Sequence, residues 1–267
     1  MLADANNGYV LKFKVYEGKT GNTPENGLGA KVVMELTENF HNRFHHVYFD
    51  NFFTGIDLML NLLREGTYSC ETMRSDRKAF PKSLKPLIKK GLKNRGDHKV
   101  VRNGNLAVCL WQDTKTISCC STNSELSIKS VTQNNPKDKE TTITVTCPDA
   151  IVKYNSHMGG VDRNDQLRGY YNIQIKSRKY YKYLFYAAMD VAITNSFIMS
   201  KFFPNLKKKH LKDVRIELAK QLIGNYNTKK RKGRQSQFQP VAGFSSMHFP
   251  TKAQERMLLM PTEWKTS

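Results

Sequence analysis

Alternation of apolar and polar residues marks three short strands near the start of the chain. Residues 9–18, "YVLKFKVYEG", alternate apolar side chains with lysines, and residues 45–52, "HHVYFDNF", are aromatic and β-branched as far as Asp50. Residues 67–74, "TYSCETMR", form a third run of the same kind. Because period-two alternation is typical of strands with one buried face, we predict a strand in each place.

Two stretches between these strands have the spacing of amphipathic helices. In residues 30–40 and 55–66, apolar side chains recur every three or four positions, as they do on one face of a helix. In the second stretch the expected buried stripe is Ile56, Leu60 and Leu63. Strands and helices that alternate in this way indicate an α/β fold.

The pattern changes at about residue 74, where a basic connector with two prolines begins. Residues 98–150 then hold short alternating strands and an Asn-Gly turn, which predict a small β-rich insertion into the α/β fold.

Two helices are predicted after the insertion, the second over about residues 178–202. Its most apolar part, residues 183–199, is interrupted by Asp190 and Asn195. A membrane span needs about 20 apolar residues, so we expect a buried helix and no membrane partner. Residues from 204 onward are lysine-rich and are expected to form a basic, partly disordered tail.

Charge is the strongest global signal in the composition. Lys and Arg number 43 against 23 Asp and Glu, which gives a net charge of +20 and a pI near 9.7. An excess of this size repels itself unless a polyanion neutralises it, and nucleic acid is the commonest polyanion inside cells. A solvated basic surface or an anionic membrane would also fit the charge, but we favour nucleic acid as the partner.

The cysteines and histidines do not have the spacing of a zinc site. The five cysteines, Cys70, Cys109, Cys119, Cys120 and Cys147, include no C-x-x-C pair, whereas zinc sites normally use two closely spaced ligand pairs. We therefore predict free thiols and no zinc site. The histidines of "FHNRFHHVYF" have no matching cysteines and are expected to be surface residues.

Three acidic residues, far apart in sequence, stand where a fold of this class could bring them together. Asp50 ends a predicted strand, Asp4 precedes the first recognisable strand, and Asp162 follows the glycine pair Gly159 and Gly160. Crowded carboxylates repel one another unless a cation bridges them, and hard oxygen ligands suit Mg²⁺ or Mn²⁺. The glycines would let the backbone pass close to such a cluster. Each acid taken alone would equally fit an ordinary turn or helix cap.

Four motifs of this sequence resemble motifs of a known protein family. "LADANNGYV", "VYFDNFFTG" with "LMLNLL", "YNSHMGGVDRNDQL" and "SRKYYKYLFYAAMDVAITNSFI" resemble motifs of the piggyBac family of transposases, in the same order. The resemblance extends from residue 1 to about residue 203. It implies a DNA transposase whose RNase H-like core is a mixed sheet with flanking helices, interrupted by a β-rich insertion.

The resemblance also implies which residues form the active site. By motif, the three metal-binding aspartates of the family fall on Asp4, Asp50 and Asp162, which implies a two-metal site for Mg²⁺ or Mn²⁺. Asp165 matches a further acid of the third motif and is expected to support the site.

The resemblance divides the chain into four parts. These are residues 1–73, the first part of the catalytic core; 74–150, the β-rich insertion; 151–203, the helical end of the core; and 204–267, the basic tail. The family carries a long region before its first aspartate and usually a cysteine-rich module at its C-terminus, and neither is seen in this chain. We therefore expect a core truncated at both ends, with most of its central first strand missing and Asp4 poorly held.

Basic residues near the acids are candidates for binding double-stranded DNA, both transposon ends and target. They are Arg163, Arg168, Arg178 and Lys179, together with the run Lys229, Lys230, Arg231 and Lys232. That run would also fit a nuclear import signal, so we expect a nuclear protein. A homodimer is a further expectation from the family.

Two functions remain open at this point. In the first, the chain is the core of a metal-dependent transposase that hydrolyses phosphodiesters and joins the freed 3′-OH to DNA. In the second, it is a domesticated or fragmentary DNA-binding protein without catalysis. A third, non-enzymatic interpretation is a gene fragment with no stable fold, so the sequence leaves the question of enzymatic activity open.

Overall fold

The computed structural model describes residues 1–18, 27–53, 55–77, 79–125, 127–134, 141–173, 175–204 and 209–224. The chain divides into two units, residues 1–219 and 220–267, and the second is described only as far as residue 224. The strands are β1 Leu2–Ala3, β2 Val10–Lys12, β3 His46–Phe49, β4 Tyr68–Thr72, β5 His98–Asn103, β6 Leu106–Gln112, β7 Thr116–Ser121, β8 Ile128–Asn134 and β9 Thr142–Pro148. The α-helices are α1 Leu28–Thr37, α2 Ile56–Arg64, α3 Lys85–Lys90, α4 Asp149–His157, α5 Gly160–Tyr170, α6 Tyr180–Ser200 and α7 Leu211–Ile223.

A mixed five-stranded sheet forms the centre of the first unit. Its strand order is β3-β4-β7-β6-β5, in which β3 and β4 are parallel and the other neighbours are antiparallel. Strand β6, "LAVCLWQ", is buried along almost its whole length, as expected for an apolar run covered on both faces. The predicted mixed α/β architecture with flanking helices is therefore present.

Strand β7 lies inside the predicted β-rich insertion but pairs with β4 of the preceding α/β part. Three strands from residues 98–121 continue the sheet that β3 and β4 begin, so they are not a separate β layer. Only the β8–β9 hairpin forms a sheet of its own among these later strands of the described chain. The boundaries of the catalytic core and its insertion stay a prediction.

One face of the sheet is covered by the β8–β9 hairpin and by α4. Cys70, Cys109, Cys119 and Trp111 point to this side and pack against Ile151 and its neighbours on α4. The indole Nε1 of Trp111 donates a hydrogen bond of 2.7 Å to the carbonyl oxygen of Thr146 on β9. This bond joins the hairpin to the sheet and satisfies a buried donor that would otherwise destabilise the core.

The other face of the sheet is covered by α2, which lies between the sheet and α1. Met59 packs toward the sheet, while Leu58 and Leu62 pack with Val33 of α1. Of the predicted stripe of α2, Ile56 packs partly buried against the sheet, whereas the fully buried residues are Leu58, Met59 and Leu62 in place of Leu60 and Leu63.

Helix α6 is buried over its second half only. Val191, Thr194 and Phe197 are buried, whereas Tyr183 and Phe185 near its start are exposed. The expectation of a buried helix over 183–199 is thus wrong for its first turn. No helix among the described residues has both the length and the apolar content that crossing a membrane requires.

The antiparallel strands β1 and β2 form a small separate sheet, here called the N-terminal ribbon (Leu2–Lys12). Its strand β2 is held by α6 through one side chain. The amide of Asn195 accepts a hydrogen bond from the backbone N–H of Val10 and donates one to its carbonyl, both 2.9 Å long. Asn195 thus occupies the place that a neighbouring strand would take, and satisfies both polar groups of a buried residue.

We expect Asn195→Ala to destabilise the protein by about 1–3 kcal/mol, because it leaves the buried N–H and C=O of Val10 without partners. Thermal unfolding measures the loss, and hydrogen exchange at Val10 locates it. Ser196→Ala is the matched control, since the exposed Ser196 hydroxyl bonds only to Ala192 of its own helix. Equal unfolding temperatures for the two variants would contradict the proposed anchor.

Candidate active site

The turn between α4 and α5 is the point on which the N-terminal ribbon rests. We call residues 154–162 the α4–α5 corner. A Cβ atom built on Gly160 would lie 2.8 Å from the carbonyl oxygen of Asp4, closer than real Cβ contacts occur. Gly8 has a φ of +81°, and a Cβ atom built on it would lie 3.0 Å from the carbonyl oxygen of Gly160. The close passage expected of the glycine pair is thus found at Gly160, whereas Gly159 has open space around it.

Side chains of α5 hold the loop of the ribbon in place. Asn164, which is completely buried, donates a hydrogen bond of 3.0 Å from Nδ2 to the carbonyl oxygen of Gly8. The guanidinium of Arg163 donates to the carbonyl oxygens of Ala5 and Asn6. The described role of Arg163 is therefore to hold the ribbon, while DNA binding by this residue stays a prediction.

Asp4 lies at the end of β1, in a turn that its own side chain stabilises. Its Oδ1 accepts a hydrogen bond of 2.7 Å from the backbone N–H of Asn6, and its Oδ2 accepts one of 3.3 Å from the amide of Asn7. Its backbone N–H donates to the carbonyl of Tyr9 at 2.8 Å. The expectation of a poorly held Asp4 is therefore wrong, because the ribbon and α5 fix this residue near the chain start.

Asp50 follows directly after β3, at the carboxyl end of the parallel pair β3–β4, and its Oδ1 accepts a hydrogen bond of 2.6 Å from Asn51. The charge of Asp50 acts on Tyr154 of the α4–α5 corner. Burial raises the pKa of the Tyr154 hydroxyl, a hydrogen bond with Thr72 lowers it, and the negative charge of Asp50 raises it.

Asp162 and Asp165 lie on the first two turns of α5, both exposed. Asp162 is two residues beyond the glycine that contacts Asp4, and its position near the helix N-terminus favours a negative charge. Asp165 forms an ion pair of 3.1 Å with Arg168, so the predicted DNA contact at Arg168 competes with this partner. The charge of Asp165 also acts on the amino group of Met1. Burial lowers the pKa of this amino group, and the negative charge of Asp165 raises it.

The α4–α5 corner is thus in direct contact with one predicted catalytic acid and carries another. Gly160 lies against the backbone of Asp4, Asp162 lies on the corner itself, and Asp50 acts on Tyr154 through its charge. Within the described ranges, however, no three side chains of the His, Cys, Asp and Glu types are close enough together to hold a metal ion. The donor set has the hard oxygen chemistry that Mg²⁺ or Mn²⁺ needs, but the shared metal site stays a prediction.

A cleft of about 730 Å³ lies between β1 and β3, beside the corner. Sequence reasoning missed two residues that line it, Tyr48 and His157, whose rings stack with centroids 5.0 Å apart and planes 15° apart. The stack connects the strand before Asp50 to the last turn of α4. Its only sequence signal is the position of His157 inside the motif "NSHMGGVD", three residues before Gly160.

His46 also borders this cleft and is exposed, as the sequence predicts. Partial burial of its ring lowers the pKa of His46, and the positive charge of Lys153 lowers it further. Asn123 lies behind the ring, with Nδ2 3.0 Å from Nδ1 of His46 and 3.2 Å from the hydroxyl of Tyr48. The cleft next to Asp4 thus has a largely apolar lining, into which His46, His157 and Lys153 bring polar groups.

The remaining predicted DNA contacts lie at the start of α6 and beyond the described residues. Arg178 and Lys179 are exposed immediately before α6. Lys229, Lys230, Arg231 and Lys232 lie outside the described residues, and so does most of the predicted basic tail.

Comparison with known proteins places this geometry in a family. A family model described as Transposase IS4 matches residues 1–197. The human PiggyBac transposable element-derived protein 3 is 29% identical over 202 residues, which are 73% of this chain and 34% of that protein. The human PiggyBac transposable element-derived protein 2 is 26% identical over 195 residues, 71% of this chain and 33% of that protein. This chain thus spans about a third of the length of these relatives.

The fold is similar to that of a solved transposase. A cryo-EM structure of a piggyBac transposase synaptic complex with hairpin DNA matches 95% of this chain and 54% of that one, with a TM-score of 0.70 and 21% identity. The expected fold class, an RNase H-like mixed sheet with flanking helices, is confirmed.

We expect Gly160→Ala to displace the ribbon, since its Cβ would meet the backbone of Asp4 at 2.8 Å. Gly169→Ala on the same helix is the matched control, because nothing lies within 4 Å of its Cβ position. Alanine should stabilise the helix there by roughly 0.5–1 kcal/mol. Thermal unfolding and hydrogen exchange at residues 4–10 would show loss for the first variant and none for the second. A stabilised Gly160→Ala protein would show that the close approach is not required.

Proposed function

Because the chain belongs to the Transposase IS4 family, in its piggyBac type, and is a transposase catalytic core, we propose that it cuts and joins phosphodiester bonds of DNA. The observation that best supports this activity is the α4–α5 corner, which carries Asp162 and lies against the backbone of Asp4. Asp50, at the end of β3, acts on Tyr154 of this corner through its charge.

The residues that would hold the metal are Asp4, Asp50 and Asp162, with Asp165 in support. Dependence on a divalent metal is general in the transposase family, and we propose Mg²⁺ or Mn²⁺ in a two-metal site. When bound, such ions stabilise the attacking and leaving oxygens of a phosphodiester. The chain itself contributes three things: α5 holds the ribbon, the carboxylates supply negative charge, and the Tyr48–His157 stack fixes β3 against α4.

The alternative function is a domesticated protein that binds DNA but does not cut it. One observation favours it: both carboxylate oxygens of Asp4 accept hydrogen bonds from Asn6 and Asn7. A metal ion would have to compete with these bonds. A protein that binds DNA but neither binds the metal ion nor nicks plasmid would support the alternative.

Double-stranded DNA is the proposed partner, on the strength of the net charge of +20 and the exposed Arg178 and Lys179. Transposon ends and target DNA are the finer proposal, together with a nuclear location that the basic run at 229–232 would support. A homodimer stays a prediction from the family.

We expect Asp50→Asn to weaken Mn²⁺ binding by at least about tenfold, the lower end of what even outer-shell partners cost a metal site. Asparagine keeps the size and one oxygen but loses the charge that holds the cation. Titration calorimetry measures binding, and nicking of supercoiled plasmid in Mg²⁺ or Mn²⁺ should disappear in the same variant. Asp57→Asn, an exposed acid on α2, is the control. Equal metal affinity in both variants would exclude Asp50 as a ligand.

Binding to duplex DNA should weaken steeply with salt, because each neutralised phosphate adds about −0.9 to the slope of log K against log salt. Arg178→Gln with Lys179→Gln should reduce the slope by roughly 2, about one unit for each lost phosphate contact. Lys115→Gln, exposed in the β6–β7 turn, is the control and should change it little. A flat salt response in the wild-type protein would remove the assignment to nucleic acid.

A further inference from the structure

The first turn and a half of α6 is exposed on every side. Six consecutive residues, 180–185, are exposed, and at 3.6 residues per turn they cover the full circumference of the helix. Five of the six are aromatic or apolar: Tyr180, Tyr181, Tyr183, Leu184 and Phe185. A helix that is apolar all round is normally buried, so we expect a binding partner to cover this segment.

The exposed rings are held in a defined arrangement. The hydroxyl of Tyr183 accepts a hydrogen bond of 3.1 Å from the backbone N–H of Ser177, which ties the preceding segment to the helix. Tyr180 and Tyr181 lie edge to face, with ring centroids 6.2 Å apart. The ammonium of Lys179 lies 6.0 Å from the centroid of the Tyr181 ring. Tyr180 is 77% exposed, so at least one ring presents nearly its whole face to solvent.

The charge around these rings has a single sign. Residues 166–189 contain no Asp or Glu, but they contain five basic residues: Arg168, Lys176, Arg178, Lys179 and Lys182. Four of the five are exposed, and none of those four forms an ion pair with another described residue. The surface therefore combines stacking rings with uncompensated positive charge over about 24 residues of sequence.

We propose that residues 176–185 form a binding surface for an unpaired strand of DNA. Bases stack on Tyr180 and Tyr181, and the phosphates between them lie against Lys179, Lys182 and Arg178. Proteins that bind single strands without sequence preference combine these two elements, a basic track and aromatic stacking platforms. A duplex would use the charges but not the rings, because its bases already stack on one another. The surface is independent of the metal site and would operate in an active or an inactive protein.

Charge and geometry argue against two other occupants. A second copy of this chain would bring an equally basic segment against the first, which repels it. An anionic membrane would match the charge, but a helix lying on a membrane has one apolar face and one polar face. Here the aromatic residues surround the helix.

The test uses the whole chain and three fluorescent 12-nucleotide probes: oligothymidylate, an abasic strand with the same phosphates, and a duplex of the same length. The wild-type protein should prefer oligothymidylate to the abasic strand, since only the former has bases to stack. Tyr180→Ala and Tyr181→Ala should each weaken oligothymidylate binding by roughly fivefold or more, given what a stacked base contributes. The same variants should bind the abasic strand and the duplex as the wild type does.

Two further variants separate stacking from loss of structure. Tyr180→Phe with Tyr181→Phe keeps the rings and should retain wild-type binding. Tyr16→Ala removes a tyrosine of similar exposure elsewhere in the chain and should have no effect. Circular dichroism melting checks that every variant folds.

The proposal is overturned if the alanine variants lose affinity equally for all three probes, because that would show a general electrostatic effect. It is also overturned if the wild type does not distinguish oligothymidylate from the abasic strand. Tighter, tyrosine-dependent binding to phosphatidylserine vesicles than to oligothymidylate would assign the surface to a membrane instead. Failure of duplex binding or of plasmid nicking, with the base preference intact, would contradict the proposed transposase activity and leave this surface in place.

Discussion

The arrangement around the acids depends on hydrogen bonds from helix side chains to the backbone of the N-terminal ribbon. β1 has two residues and β2 has three, too few to be stable in water as an isolated hairpin. Asn164 and Asn195 supply the partners that a wider sheet would otherwise provide, and Arg163 adds bonds to the loop between them. Loss of these bonds would release the ribbon from α5, and Asp4 would then move away from the corner with it.

A second set of contacts fixes the other side of the same corner. Stacking of Tyr48 on His157 holds the end of β3 against α4, and Asn123 bonds to the Tyr48 hydroxyl from the neighbouring strand region. The packing of α4 on the sheet through Ile151 makes this connection rigid. The two parts of the chain that carry Asp4 and Asp50 are thus both fitted to the helix pair that carries Asp162, although they are only indirectly connected to each other.

The sequence predicts those features that local periodicity controls. The strands that became β3 and β4, and the helices that became α1 and α2, follow from apolar spacing alone, within a few residues at each end. The prediction that the glycine pair allows a close backbone approach is confirmed at Gly160, which lies against the backbone of Asp4. The family resemblance, which rests on motifs, supplied the fold class that spacing left open.

The remaining features depend on contacts between distant residues, which no local pattern encodes. In the sequence, Asn195 only interrupts the apolar run of α6, yet it is the anchor of β2. Tyr183 and Phe185 lie in the run that is predicted to be buried, but both are exposed. Pairing of β4 with β7 similarly joins strands about 50 residues apart, and no local pattern predicts that strands of residues 98–121 continue the sheet of β3 and β4.

The ribbon and the residues that anchor it are far apart in sequence, so they are synthesised at different times. Val10 and Asn195 are 185 residues apart, and Gly8 and Asn164 are 156 apart. During synthesis at about 5–20 residues per second, the ribbon leaves the ribosome roughly ten seconds or more before its last partner exists. Through that interval Asp4 has no fixed position, whereas the strand that leads to Asp50 can already pair with its neighbour. A nascent chain therefore cannot fix Asp4 beside α5 by these bonds until Asn164 and then Asn195 have been synthesised.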